Sequence, residues 1–194
     1  MPNINSAAAK IIAAETTGAK LEIGSGRRPT PGYIHNDMNA FPGIDIVGNP
    51  WEIDLPDSHL EEAIALGVME HLTYEQFDKC LANMRRMLRP GGRFYFDVPD
   101  IVVWCRYVVD HFDGKATPFT IEHIFSTLYG WQRWPGDEHK SGWCEERLEQ
   151  ALDKAKFTKR EYGVQHLTDK GFMRNRFARP HDAHIYCVAI KDFD

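Results

Sequence analysis

Short apolar runs recur along the first half of this chain, each closed by glycine, proline or an acidic residue, and that rhythm limits the fold more than any other feature. Leu21-Glu22-Ile23 is broken by Gly24-Ser25-Gly26, and Tyr33-Ile34-His35-Asn36-Asp37 ends in an acid. Ile44-Asp45-Ile46-Val47, Ala63-Ile64-Ala65-Leu66 and the aromatic Phe94-Tyr95-Phe96-Asp97-Val98 follow. Between the last two lies the clearest helix. Thr73 and Gln76 have capping-box spacing, and Phe77, Leu81, Met84 and Leu88 fall on one stripe. Arg89-Pro90-Gly91-Gly92 should end it, because proline cannot continue a helix and the glycines permit a turn. Strands alternating with helices predict a layered α/β sheet, with ligands at the carboxyl ends of the strands.

The remaining segments fit around that sheet. The alanine-rich stretch 5–15 reads as a helix stopped by Gly18. Ile101–Phe112 and Ile121–Tyr129 read as helices of a small cap inserted at about 101–140. A last amphipathic helix carries Cys144, Leu148, Ala151, Leu152 and Ala155, with Ser141 as its expected N-cap. Residues 161–167 and 184–190 read as closing strands. At 194 residues, 1–194 is expected to form a single domain around one core.

Composition excludes several classes. No apolar run approaches the roughly 18 residues needed to cross a bilayer, and the start lacks the pattern of a secretion signal. A cytoplasmic protein is therefore expected. The four cysteines are too scattered for a zinc or redox motif, and the net charge of −5 argues against a protein devoted to holding nucleic acid. Lys170, Arg174, Arg176 and Arg179 form one local basic run, either a solvated loop or a contact for an anionic substrate.

The glycine turn carries the first chemical signal. Gly24 and Gly26 remove side chains that would keep a ligand off the backbone, and they tolerate positive φ. Asp37, at the next strand end, is placed to accept two hydrogen bonds from a ribose diol. Nicotinamide enzymes use the same device. Together with Leu66-Gly67-Val68-Met69-Glu70-His71-Leu72 and Met87-Leu88-Arg89-Pro90-Gly91-Gly92-Arg93, these motifs make the sequence resemble the class I S-adenosylmethionine-dependent methyltransferases over about residues 20–99.

That resemblance implies a Rossmann-like, mostly parallel sheet with helices on both faces and an antiparallel C-terminal strand. It implies S-adenosyl-L-methionine as cofactor. Glu22, Gly24, Ser25 and Gly26 would line its methionine half, and Asp37 would hold the ribose. Asn49 would accept from the adenine amino group, Trp51 would supply an amide or a packing face, and Gly67 and Val68 would offer backbone carbonyls. One departure stands out. Only residues 27–32, including Pro29 and Pro31, separate the turn from the next strand, too few for the usual crossover helix. The first crossover helix should be missing, with the N-terminal helix covering the sheet instead. Arg27 or Arg28 either pairs with the methionine carboxylate or is solvated.

On the acceptor side, a protonated nucleophile needs a base, and histidine suits that work. His71 is either such a group or a residue fixing the turn before Thr73. His139, in Asp137-Glu138-His139-Lys140, is either the base or part of a plain surface loop. His123 either lines the cap or lies on a helix surface. Tyr129, Trp131, Trp134 and Trp143 fill the core or wall an acceptor site. No cluster of convergent oxygens is evident, so no metal is expected. The reading is methyl transfer to a small molecule; resemblance to small bacterial methyltransferases linked to surface glycans implies a sugar hydroxyl. A cofactor-binding pseudoenzyme with a regulatory role, and a nucleic-acid or protein methyltransferase, are the alternatives. Oligomeric state is left open.

Overall fold

The computed structural model describes residues 3–4, 18–166 and 183–192. Its strands are β1 (Asn3–Ile4), β2 (Ala19–Ile23), β3 (Ile34–Asp37), β4 (Ile46–Val47), β5 (Leu60–Ala65), β6 (Leu88–Pro99), β7 (Lys159–Tyr162) and β8 (His184–Ile190). They form one eight-stranded sheet in the order β1-β4-β3-β2-β5-β6-β8-β7. Strands β4, β3, β2, β5 and β6 run parallel. Strand β8 inserts antiparallel beside β6, with Phe94 opposite Ala189 and Pro99 opposite His184, and β7 pairs antiparallel outside it. This is the expected mixed sheet. The helix expected at 5–15 and the basic run at 170–179 lie outside the described residues.

Helix α1 (Tyr74–Met87) forms where its capping signal places it. The Thr73 hydroxyl accepts the Gln76 amide, and the Gln76 side chain accepts the Thr73 amide in return. Phe77, Leu81, Met84 and Met87 are fully buried along its inner stripe. They meet Leu21, Ile23, Ala63 and Phe96 on one sheet face, joined by Leu148 and Leu152 of α4 (Glu145–Lys154). Ile64, Tyr95, Tyr186 and Val188 form a second cluster, as the strand alternation requires for the other face.

Two expectations at element ends are corrected. Arg89-Pro90-Gly91-Gly92 does not separate α1 from the next strand: β6 begins at Leu88, directly after the helix. Leu60 pairs with Leu88 and Glu62 with Arg93, so the glycines form a bulge inside the strand, which Gly91 accommodates at φ 76°. Cys144, rather than Ser141, occupies the N-cap of α4; the Ser141 hydroxyl instead accepts the Trp143 indole N–H.

No helix separates β2 from β3, as the short interval predicts. Hydrogen bonds hold that loop. Ser25 N–H donates to the Asn36 carbonyl, and both the amide and hydroxyl of Thr30 donate to the Glu22 carboxylate. The His35 ring nitrogen Nε2 lies 2.7 Å from the Thr30 carbonyl. The connections on to β4 and β5 also lack α-helices, with only a 3₁₀ turn at Pro50–Glu52. Beyond the carboxyl end of β6, α2 (Ile101–Phe112) and α3 (Ile121–Tyr129) pack around Trp104 and Ile124, a helical pair called the cap. No helix among the described residues is long and apolar enough to cross a membrane.

Candidate active site

Two cavities meet at the carboxyl ends of the parallel strands. The first, about 470 Å³, is lined by Gly24, Asp37, Asn49, Trp51 and Val68 among others. The second, about 730 Å³, lies under the cap and contains Ser25, Gly26, Glu70, His123, His139 and Trp131. Gly67, His71, Arg133, Trp134 and Asp137 border both. Both volumes suit small-molecule ligands, whose pockets span roughly 300–1,000 Å³.

In the first cavity the turn after β2 is pinned to the end of β3. Asp37 accepts the Gly26 amide on Oδ2 at 2.9 Å and the Asn39 amide on Oδ1 at 2.8 Å. A carboxylate oxygen has more than one acceptor site, so Oδ2 keeps capacity for a ligand hydroxyl. The two glycines serve different ends. A Cβ on Gly24 would stand 2.4 Å from Val68 Cγ2, so its backbone, at φ 64°, is claimed by protein packing. A Cβ on Gly26, at φ 59°, would meet nothing within 4 Å, which leaves open space over that backbone. Asn49 donates its Nδ2 to Glu52, leaving its amide oxygen as the acceptor.

Glu22 does not line either cavity. It is almost fully buried and its carboxylate serves Thr30, so its work is to hold the loop. Ser25 likewise turns its hydroxyl to the Glu22 carbonyl. The Val68 carbonyl accepts the His71 amide within the 3₁₀ turn Met69–His71. Arg27 and Arg28 are both exposed on the wall of the larger cavity. Arg27 lies over Phe41 at 4.4 Å, and among the described residues neither guanidinium pairs with a carboxylate.

The larger cavity gathers Glu70, His71 and His139. The Glu70 carbonyl accepts the amides of Lys140 and Ser141, and the His139 amide donates to Tyr129, so the loop is stitched to the turn after β5 and to the cap. His71 and His139 meet edge to face, ring centroids 4.8 Å apart. His139 Nε2 lies 3.9 Å from Glu70 Oε1. Burial pushes the Glu70 carboxyl well above its ordinary pKa, and the Asp97 carboxylate adds to that shift. Burial, with His71 beside it, pulls His139 down to about 4; burial also lowers His71, against the raising effect of the Glu138 carbonyl. The spacing of these residues in the chain hid this group of donors, which lies with Glu70 rather than with Asp137 or Glu138.

Asp137 is engaged elsewhere. Burial acts to raise its carboxyl, but hydrogen bonds from the Arg133 side chain and amide outweigh this and hold it below the ordinary range. Arg133 in turn stacks over Trp134 at 4.3 Å. His123 lines the cavity, whereas Trp143 is core, 1% exposed against Phe77. Sequence reasoning missed Asp97 and His184. Asp97 accepts the Gly67 amide on Oδ1 and faces His184 Nδ1 at 2.9 Å through Oδ2, fixing the β5 turn to β8. An acid inside an aromatic strand was the signal that could have drawn attention to it.

The model of a family described as a methyltransferase domain matches residues 5–96, the part holding the turn, Asp37 and the Glu70-His71 segment. Over that stretch the chain is similar to the class I S-adenosylmethionine-dependent methyltransferases. Solved structures share its fold. An S-adenosylmethionine-dependent methyltransferase from Archaeoglobus fulgidus is 14% identical, with a TM-score of 0.57 over 94% of this chain and 90% of that one. The 1,6-didemethyltoxoflavin-N1-methyltransferase of Burkholderia thailandensis, crystallised with 1,6-didemethyltoxoflavin and S-adenosylhomocysteine, is 18% identical, with a TM-score of 0.54 over 95% and 76%. A possible histamine N-methyltransferase from Thermotoga maritima is 12% identical, with a TM-score of 0.56 over 94% and 86%. No curated protein sequence matches this chain.

Proposed function

We propose that this protein uses S-adenosylmethionine to methylate a small-molecule acceptor, and that the acceptor atom is a hydroxyl of a sugar or similar ring. The junction of the two cavities at Gly67 and His71 carries this reading, because it sets a nucleoside-sized cleft against a larger cavity lined by histidine and tryptophan rings. S-adenosylmethionine supplies a methyl group on a positively charged sulfur, so the protein has chiefly to align, exclude water and deal with a proton. The residues present fit that molecule. Asp37 would hold the ribose hydroxyls, the Asn49 oxygen the adenine amino group, and the open backbone at Gly26 the methionine half. Arg27 or Arg28 would pair with its carboxylate.

The relatives named above are described by different acceptors, and fold alone does not transfer an acceptor. The hydroxyl reading rests on the cavity instead. Trp131 and Trp134 offer faces of the kind that stack on sugar rings, and the His139 and His71 rings border the space where a nucleophile would lie. His139 would take the hydroxyl proton as methyl transfer proceeds.

The test presents purified protein with methyl-labelled S-adenosylmethionine and a panel of sugars, sugar phosphates, catechols and amines. Label is expected on a hydroxyl compound. His139→Ala is expected to lower turnover by about 10²–10⁴-fold while leaving cofactor affinity unchanged. Label appearing only on amines, or near-normal turnover in that variant, would reject the hydroxyl-and-base reading.

A further inference from the structure

We propose that Glu70, His71 and His139 form a binding site for one divalent transition-metal ion of the zinc class, open toward the acceptor cavity. This deepens the methyl-transfer reading and rests on it only for the site's purpose; the binding itself stands on geometry. One donor atom from each residue lies within 4.8 Å of the others. Ligand atoms about 2.0–2.2 Å from a shared ion sit roughly 3–3.5 Å apart, so side-chain rotations of about 1 Å would close the set.

Glu70 supplies an independent sign. Its side chain is buried, and Oε2 has no hydrogen-bond partner among the described residues. A buried carboxylate oxygen without a donor is costly, and a cation is one way to satisfy it. The histidines are held as ligands commonly are. His71 Nδ1 lies 3.1 Å from the Glu138 carbonyl, to which it can donate a proton; that leaves Nε2 bare for a metal. His139 presents Nε2 toward Glu70 Oε1, 3.9 Å away.

The supporting frame is rigid. The Lys140 and Ser141 amides tie the loop to the Glu70 carbonyl, and Gly130 bridges to Glu138. A Cβ on Gly130 would stand 2.1 Å from the Asp137 carbonyl oxygen, so these two backbones approach closely only because the residue is glycine. Two imidazoles and one carboxylate favour zinc, cobalt or nickel over magnesium or calcium, which prefer oxygen. All three residues line the acceptor cavity, so remaining coordination positions would face the acceptor. With an ion bound, both imidazoles would be ligands and His139 would not act as base; the ion would lower the pKa of a bound acceptor hydroxyl, whose proton would leave to solvent before methyl transfer.

The test titrates chelator-stripped protein with zinc by calorimetry and with cobalt by visible absorption, beside a separate titration with S-adenosylmethionine. One equivalent of zinc is expected to bind at micromolar affinity or tighter. His71→Ala, His139→Ala and the near-isosteric Glu70→Gln should each weaken it by more than the roughly 10–100-fold that losing an outer-shell partner costs. Nine histidines and four cysteines make variant comparison essential. Wild type binding zinc no better than the His71→Ala/His139→Ala double variant would overturn the site. Cofactor binding without zinc binding would reject only this proposal; zinc binding without cofactor binding would reject only the reading it deepens.

Discussion

Gly24 and Gly26 look alike in the sequence, yet different neighbours require them. Gly24 has Val68 beneath it, and an added Cβ at 2.4 Å must displace that side chain. Gly24→Ala is expected to cost about 2–4 kcal/mol, combining positive φ with overpacking. Gly26→Ala, with no atom within 4 Å of its added carbon, should cost only about 1–2 kcal/mol. Urea unfolding of both variants and of Gly24→Ala/Val68→Ala checks this; the double variant should recover part of the loss. Equal costs for both single variants, with no recovery, would contradict the packing account. Sequence alone identified these glycines and Asp37 as a unit. It did not reveal that Glu22 faces Thr30, because strand alternation says which face a residue takes and not which partner it finds. Nor could it gather Glu70, His71 and His139, since their meeting depends on where a long loop returns.

At the scale of elements, α1 was the most legible because its capping box and buried stripe are both local. Thr73→Ala should cost about 1 kcal/mol through loss of the cap. Phe77→Ala should cost about 3–5 kcal/mol, because that ring is fully buried between Phe96 and Trp143. Denaturant midpoints should fall in that order with little change in slope; an equal fall for both would contradict the assigned packing. The missing first crossover helix was legible by counting residues. The bulge at Pro90-Gly91-Gly92 was not, because turn chemistry reads alike whether glycine ends an element or kinks one. Ser141 shows the same ambiguity: its hydroxyl serves Trp143 rather than a helix end.

Across the whole molecule, the order β4-β3-β2-β5-β6 sets Asp37, Gly26 and Gly67 at one end of the sheet, and the chain beyond β6 returns to place His139 and Trp131 over it. The fold class followed from alternation of elements, whereas the cap's contribution depended on contacts distant in sequence. The central claim is that the smaller cavity receives a nucleoside whose ribose Asp37 holds. Calorimetry with S-adenosylmethionine and S-adenosylhomocysteine tests it directly. Both should bind with one-to-one stoichiometry, and Asp37→Ala should weaken each by about 10–100-fold, the worth of one or two hydrogen bonds to a charged group. A folded protein that binds neither molecule, or an Asp37→Ala variant with undiminished affinity, would contradict it.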